Sequence, residues 1–553
     1  MLTGGGARSK VVGVPWEQLI KEDRSTSSGF PPQPQAGGRE GFAPGRLGRW
    51  VLLGLLLGPP VLARGPVPAP APQTRALPPD SAAALGSGIR RLIEAPRFAA
   101  ATWGIKVVSL DTGQVLFEHN AGKYFVPASN TKLFTVAMAL QELGPGMRIH
   151  TSLYGSARPG ADGVLAGDLV LYGRGDPTLM RPWNGGPSQG DPLEALAQQL
   201  QDQGVRAVQG DLVGDDSFFA EPPYGPGWEW QDLEFAYGAE ATALTLHHNV
   251  VDLWVYPASV PGRPCFLLAQ PGQGLFTFRN DTRTLASGDH GIRATRLPGE
   301  ATIRVTGDLA PGAAPVRLTV TVHDAALWSA RLLERALARH GIQVMGQVRS
   351  MHFQDRPAPL EPGSLVELGH LDSPPLLEIL RDLTKTSNNL YAQLILLQAG
   401  VRRSGQASAN HRGILAMAAW MARTGLAPGD AVLEEASGLS RKNLLTPDAI
   451  VQLLTYMDRQ PEGAAFRALL PIAGVDGTLR HRMEGTAAAG NVRAKTGTMK
   501  FTTALSGYVT TAGGERLAFS VMLNNHLPPG EQGPSPQADV DVIPVLLAEA
   551  GAR

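Results

Sequence analysis

"FVPASNTKLFTVAMAL", residues 125–140, sets a short polar segment at the head of an unbroken apolar run. Three positions on a helix make nearly one turn, so Ser129 and Lys132 share a face and the amine can reach the hydroxyl. How that pair is read decides the fold. A serine nucleophile on the strand-to-helix elbow of an α/β-hydrolase needs Gly-x-Ser-x-Gly, which does not surround Ser129. None of the twelve histidines stands in an obvious catalytic frame, and His247-His248 lies in a strand-like region that suits packing or surface exposure. A lysine can replace histidine as the base if burial and neighbouring cations lower its pKa from about 10.4 towards neutrality. Lys132 is placed for that task.

Composition narrows what surrounds the pair. A chain of 553 residues exceeds a single core, so several domains are expected. With 49 basic and 49 acidic side chains there is no net field to attract a polyanion, which argues against nucleic acid as a partner. A single cysteine, Cys265, excludes an internal disulfide framework and a cysteine zinc site, and reads as a small buried hydrophobe. Residues 46–63, "RLGRWVLLGLLLGPPVLA", fit a secretory signal cleaved after Ala63, with a core too short for a comfortable membrane span. The proline-rich "GPVPAPAPQTRALPP", 65–79, reads as an extended tether. Residues 1–79 are therefore expected to be an arm, a signal segment and a tether, and the protein is expected to be exported to the periplasm or cell envelope. Weak membrane association through the N-terminal segment is compatible with this reading.

Organisation follows from period and punctuation. Residues 102–120 read as two strands around Asp111-Thr112-Gly113, and 503–525 as two more joined at Ala512-Gly513-Gly514, before a helix at 538–550. Strands from both ends suggest one sheet closed by the two termini. Between them, "AGDLVLYG", "NVVDLWVYP", "ATIRVTGDL" and "PVRLTVTV" are β-type segments of an inserted region, and 373–403 and 406–424 return to helical patterning. Two further motifs carry chemistry. "TSNNLYAQLILLQ", 386–398, sets Ser387 and Asn389 at a helix start, where a cap is the ordinary reading. "KTGT", at Lys495 on an edge-like strand, has Gly497 to admit a second backbone such as a peptide substrate.

The order S-x-x-K, S-x-N, K-T-G is that of penicillin-binding proteins and serine β-lactamases. With "YGRGDPTL" (172–179), "GDLVGDDSFF" (210–219), "EEASGLSRKNLLTP" (434–447), "PIAGVDGTLRHRM" (471–483), "AKTGTM" (494–499) and "LNN" (523–525), the chain from about 85 to 550 resembles one family. It is that of the low-molecular-mass D-alanyl-D-alanine carboxypeptidase/endopeptidases of the penicillin-binding protein 4, or class C, type. The resemblance implies an α/β (α+β) serine β-lactamase/DD-peptidase-like catalytic domain, a sheet flanked by helices, formed from 80–157 and 363–553. A β-rich domain at 158–362 would be inserted, with a third nested at roughly 175–243.

The resemblance also implies roles. Lys132 would take the proton of Ser129, which attacks the carbonyl between the two D-alanines of a peptidoglycan stem. The Ser129 and Thr498 N–H groups would hold the oxyanion. Ser387, linked to both Lys132 and Lys495, would protonate the departing D-alanine, and Asn389 would hold the substrate amide. Lys495, Thr496 and Thr498 would receive the terminal carboxylate along a strand that includes Gly497 and Met499. β-Lactams would acylate Ser129, and neither metal nor organic cofactor is implied. Arg441 and Asp232 would meet the charged tip of a meso-diaminopimelyl side chain, or else form a surface ion pair and a turn cap. Three departures stand out: Asn388 where aspartate is frequent, Glu435-Ala436 in the "SGLSR" block, and Arg174 in place of glycine, none expected to touch the nucleophile. A serine β-lactamase and an inert wall-binding module remain the alternatives.

Overall fold

In the computed structural model the described residues are 76–551, apart from 180–190, 287–290, 298–299, 356–359, 361–362, 364, 406, 428 and 528–534. The expected arm and signal, and the tether up to residue 75, lie outside them. The first described helix is Pro79–Ile93, which has proline in its first turn with Asp80 and carries Arg90 and Arg91 in its last turn, both favourable to the helix dipole. Among the described residues no helix is long and apolar enough to cross a membrane.

The first two and the last three described strands meet in one antiparallel sheet. Its order is Arg493–Met499, Thr502–Thr510, Arg516–Asn524, Thr102–Ser109, Val115–His119. Gly113, at φ 77°, supplies the left-handed residue of the first hairpin. Helices cover both faces. The helices Pro79–Ile93 and Pro536–Glu549 close one side over Ile105, Val107, Leu505 and Phe519. On the other, Lys132–Met138 packs with Asn389–Val401 and Pro447–Asp458 around Phe134, Tyr391, Ile395 and Leu454. Every residue of Lys132–Met138 is buried, as an apolar run without a polar stripe requires.

The inserted region departs from the expected bounds. His150–Gly155 and Val366–Asp372 pair with each other in a second five-stranded sheet, together with Leu169–Tyr172, Leu212–Asp215 and Val348–Met351. The insertion therefore opens near 150 and closes near 372, rather than at 158 and 362. The nested lobe also moves. Residues 175–243 hold the helix Pro192–Asp202 and the strand Leu212–Asp215, whose apolar faces join the core of that second sheet. A separate β core, with Val251, Leu253, Cys265, Ile303 and Val305, belongs to 250–321. Strand-like composition marks which segments form strands but not which partner each one finds. Cys265 is buried there and free.

Candidate active site

Ser129 lies in a short 3-10 turn, Ala128–Thr131, that runs directly into the helix Lys132–Met138. Ala128 is held at φ 46°, a strained conformation for a residue with a Cβ. Lys132 Nζ is 2.9 Å from Ser129 Oγ, 2.6 Å from Asn389 Oδ1 and 2.5 Å from the carbonyl of Ser437. Asn389 Nδ2 donates to the carbonyl of Tyr237 at 2.9 Å, which fixes the amide with its oxygen towards the lysine. That geometry determines what a neutral amine can do. It has two N–H bonds and one lone pair; the Ser437 carbonyl and Asn389 Oδ1 only accept, so both N–H bonds go to them and the lone pair is left for Ser129. Burial lowers the pKa of Lys132 to about 7, against the opposing pull of the Glu435 carboxylate.

The second lysine has its own partner. Lys495 Nζ donates to Ser387 Oγ at 2.8 Å and to the Thr496 carbonyl at 2.9 Å. Ser387 was expected to bridge both lysines, but Lys132 turns to Asn389 instead. The cause is local backbone: Ser387 ends the helix Leu376–Thr386 in a left-handed conformation, φ 59°, and Asn388 caps the next helix by accepting from Tyr391 N at 3.1 Å. Ser387 and Asn389 thus leave the helix junction in different directions. Burial, then the charge of Lys132, holds the Lys495 pKa well below the ordinary lysine value.

Gly497 admits a close neighbour from within the chain. A Cβ there would lie 2.6 Å from the Pro127 carbonyl and 2.9 Å from Asn130 Nδ2, so glycine lets the strand press against the turn that carries Ser129. The Asn130 amide also donates to the Lys495 carbonyl at 3.3 Å. The strand Arg493–Met499 remains a sheet edge, paired on one side with Thr502–Thr510. Thr496 donates to Thr478 Oγ1, while exposed Thr498 and half-buried Met499 border a hollow of ≈ 230 Å³ with Phe501 and His526.

The "EEASGLSR" loop was not expected near Ser129, yet it forms the wall behind it. Glu435 is fully buried and accepts from Ser437 N, Ser437 Oγ, Gly438 N and Asn443 Nδ2 at 2.5–2.7 Å. This folds the loop so that the Ser437 carbonyl faces Lys132 and Gly438, at φ 82°, presses its backbone on Ala128 and Ser129. The glutamate in an otherwise neutral "EASG" was the available signal. Arg174 has its guanidinium bonded to the His150 carbonyl, Ser152 and Tyr154.

The inserted region supplies the rim. Arg441 Nη1 pairs with Glu229 at 2.8 Å, and Asp232 accepts from Glu229 N at 3.0 Å as a turn cap. The two are brought to one corner without a direct bond, and burial raises the Asp232 pKa. His247 and His248, expected in a strand, instead turn in left-handed backbone, with His248 Nε2 3.0 Å from the Tyr391 hydroxyl.

Comparison with known proteins gives a consistent result. A profile of the D-Ala-D-Ala carboxypeptidase 3 (S13) family matches residues 85–543. The D-alanyl-D-alanine carboxypeptidase of Actinomadura sp. is 37% identical over 477 residues, 84% of either chain. The D-alanyl-D-alanine carboxypeptidase DacB of Haemophilus influenzae is 26% identical over 431 residues, 76% of this chain and 85% of that one. The crystal structure of penicillin binding protein 4 from Haemophilus influenzae superposes with a TM-score of 0.71 at 24% identity, covering 84% of this chain and 97% of that one. The same Haemophilus protein has been solved in complex with a β-lactam.

Proposed function

The chain belongs to the D-Ala-D-Ala carboxypeptidase 3 (S13) family, and from that premise we propose an acyl-enzyme cycle on Ser129 for this serine peptidase. The observation that carries it is the triple contact of Lys132, which leaves the lone pair of its neutral amine to Ser129 alone. Lys132 takes the hydroxyl proton as Ser129 Oγ attacks the carbonyl between two D-alanines of a peptidoglycan stem. The N–H groups of Ser129 and Thr498 receive the developing oxyanion. Ser387, held by Lys495, passes its proton to the departing D-alanine nitrogen and is reprotonated by that lysine. Base and acid are thus separate lysine-centred pairs, a division that differs from one serine serving both. Lys495 and the threonines of its strand meet the terminal carboxylate; water then cleaves the ester, losing its proton through Ser387 to the Lys495 amine while Lys132 returns its own to Ser129 Oγ.

A β-lactam presents a strained amide and a carboxylate to the same groups and acylates Ser129. Action on crosslinks as an endopeptidase uses the same groups, with the rim around Asp232 and Arg441 selecting the side chain. Export follows from the 46–63 segment, since the substrate lies outside the cytoplasmic membrane.

The test is incubation with a fluorescent penicillin and, separately, with a peptide ending in D-Ala-D-Ala. The expected result is a mass-mapped adduct on Ser129 and release of D-alanine, both absent from Ser129→Ala. Rapid hydrolysis of the drug without D-alanine release would replace the reading with a β-lactamase, and an intact drug with no release would replace it with an inert binding module. Export is tested by sequencing the mature N-terminus from fractionated cells; an intact N-terminus in the cytoplasmic fraction would refute it.

A further inference from the structure

The insertion leaves the catalytic region through His150–Gly155 and returns through Val366–Asp372, an antiparallel pair in which Asp372 stands opposite His150 and His370 opposite Ser152. Alternation puts 150, 152, 370 and 372 on one face. A register shift between Glu367 and Gly369 then brings Glu367 opposite Tyr154, onto that same face. Without the shift its carboxylate would point to the other side of the sheet.

The result is a compact group of ligand-type atoms. One donor atom from each of His150, Glu367 and His370 lies within 4.8 Å of the others. His150 Nε2 is 2.9 Å from Glu367 Oε1, and the two imidazole centroids are 4.5 Å apart. His150 Nδ1 donates to Asp372 Oδ1 at 2.7 Å, which turns Nε2 towards Glu367 Oε1, where a cation would replace the hydrogen bond that now joins them. A carboxylate behind a histidine in this way is the usual support of a metal ligand, because it fixes tautomer and ring orientation. His370 is itself pinned, its N–H donating to Gln199 Oε1 and its carbonyl accepting from Gln199 Nε2. The nearby guanidinium groups have partners other than the three donor atoms: Arg174 bonds the His150 carbonyl, Ser152 and Tyr154, and Arg148 the Ser373 carbonyl.

We propose that His150, Glu367 and His370 bind one borderline divalent cation of the zinc class, with Asp372 orienting His150. Two imidazoles and one carboxylate suit zinc and disfavour magnesium and calcium, which take oxygen ligands. Three protein ligands leave a position for water. The site ties the first strand of the insertion to the last, so the cation is a staple across the neck on which the inserted region is carried.

The test uses untagged, EDTA-treated full-length protein titrated calorimetrically with zinc chloride. One zinc per chain is expected, with a melting temperature raised by a few degrees at a hundredfold excess over Kd. His370→Ala, an exposed position, is expected to lose the site while keeping the metal-free melting temperature and the penicillin acylation rate. Glu367→Gln serves as the second variant and is expected to weaken binding at least tenfold. Absence of zinc binding, binding undiminished in both variants, or an equal response to magnesium chloride would overturn the proposal.

Discussion

Acylation of Ser129 by a penicillin is expected to lose rate below neutral pH in step with protonation of Lys132. The base is the free amine, and with a pKa of about 7 half of it is free at neutrality. Each unit below that removes about tenfold, so the rate at pH 5 should be roughly one hundredth of the plateau reached above pH 8. The sign follows from burial, which disfavours the ammonium and lowers the pKa, so activity rises with pH. An exposed lysine at about 10.4 would be free in only roughly 4 parts in 10,000 at pH 7, and its rate would still climb through pH 9. Glu435→Gln removes the charge that holds the amine's pKa up, and so should move the midpoint to lower pH. Stopped-flow acylation from pH 5 to 10, with circular dichroism to verify folding, makes the measurement. A flat profile, a midpoint near 10, or an upward shift in Glu435→Gln would refute the assignment of Lys132 as the base.

Gly438→Ala should reduce acylation at least tenfold and lower the melting temperature, because its Cβ would lie 1.9 Å from the Ala128 carbonyl; Gly113→Ala, equally left-handed but with no atom within 4 Å, should cost about 1–2 kcal/mol and leave acylation unchanged. Asn388→Ala, losing only a helix cap, should cost about 1 kcal/mol at an unaltered rate, whereas Asn389→Ala should slow acylation roughly 10²-fold by freeing Lys132 from a fixed acceptor. Arg441→Ala breaks a half-exposed pair, so denaturant unfolding should change by about 0–1 kcal/mol, while kcat/KM should fall for stem peptides with a charged diaminopimelyl tip relative to uncharged ones; equal losses on both would remove Arg441 from specificity.

Local pattern carried much of this protein. The hairpins at 102–120 and 503–525, the buried helix after Ser129 and the C-terminal helix are each written in period and turn residues a few positions apart, which is the range over which backbone sterics and burial act. The Ser129–Lys132 pair was legible for the same reason: one helical turn joins them. Its companions at Ser387, Asn389 and Lys495 were legible as motifs, but their contacts were not. Whether Ser387 faces one lysine or two depends on a left-handed residue between two helices, a choice made by packing of both helices and not by the letters Ser-Asn-Asn. Gly497 was read as admitting a second backbone, and the space a side chain would fill there is occupied by the Pro127 carbonyl, a contact no local pattern announces. The Glu435 loop sits more than 300 residues from the helix it braces, and only folding brings that carboxylate and the Ser437 carbonyl to Lys132. Strand partners in the insertion were undetermined for the same reason. The sequence alone determined the candidate groups and most of the segments that form helix or strand, because those depend on residue type and neighbours; the His247–His248 turn was an exception. Tertiary structure decided which lone pair faces which proton, because direction and burial at one point are set by chains that meet from distant parts of the molecule.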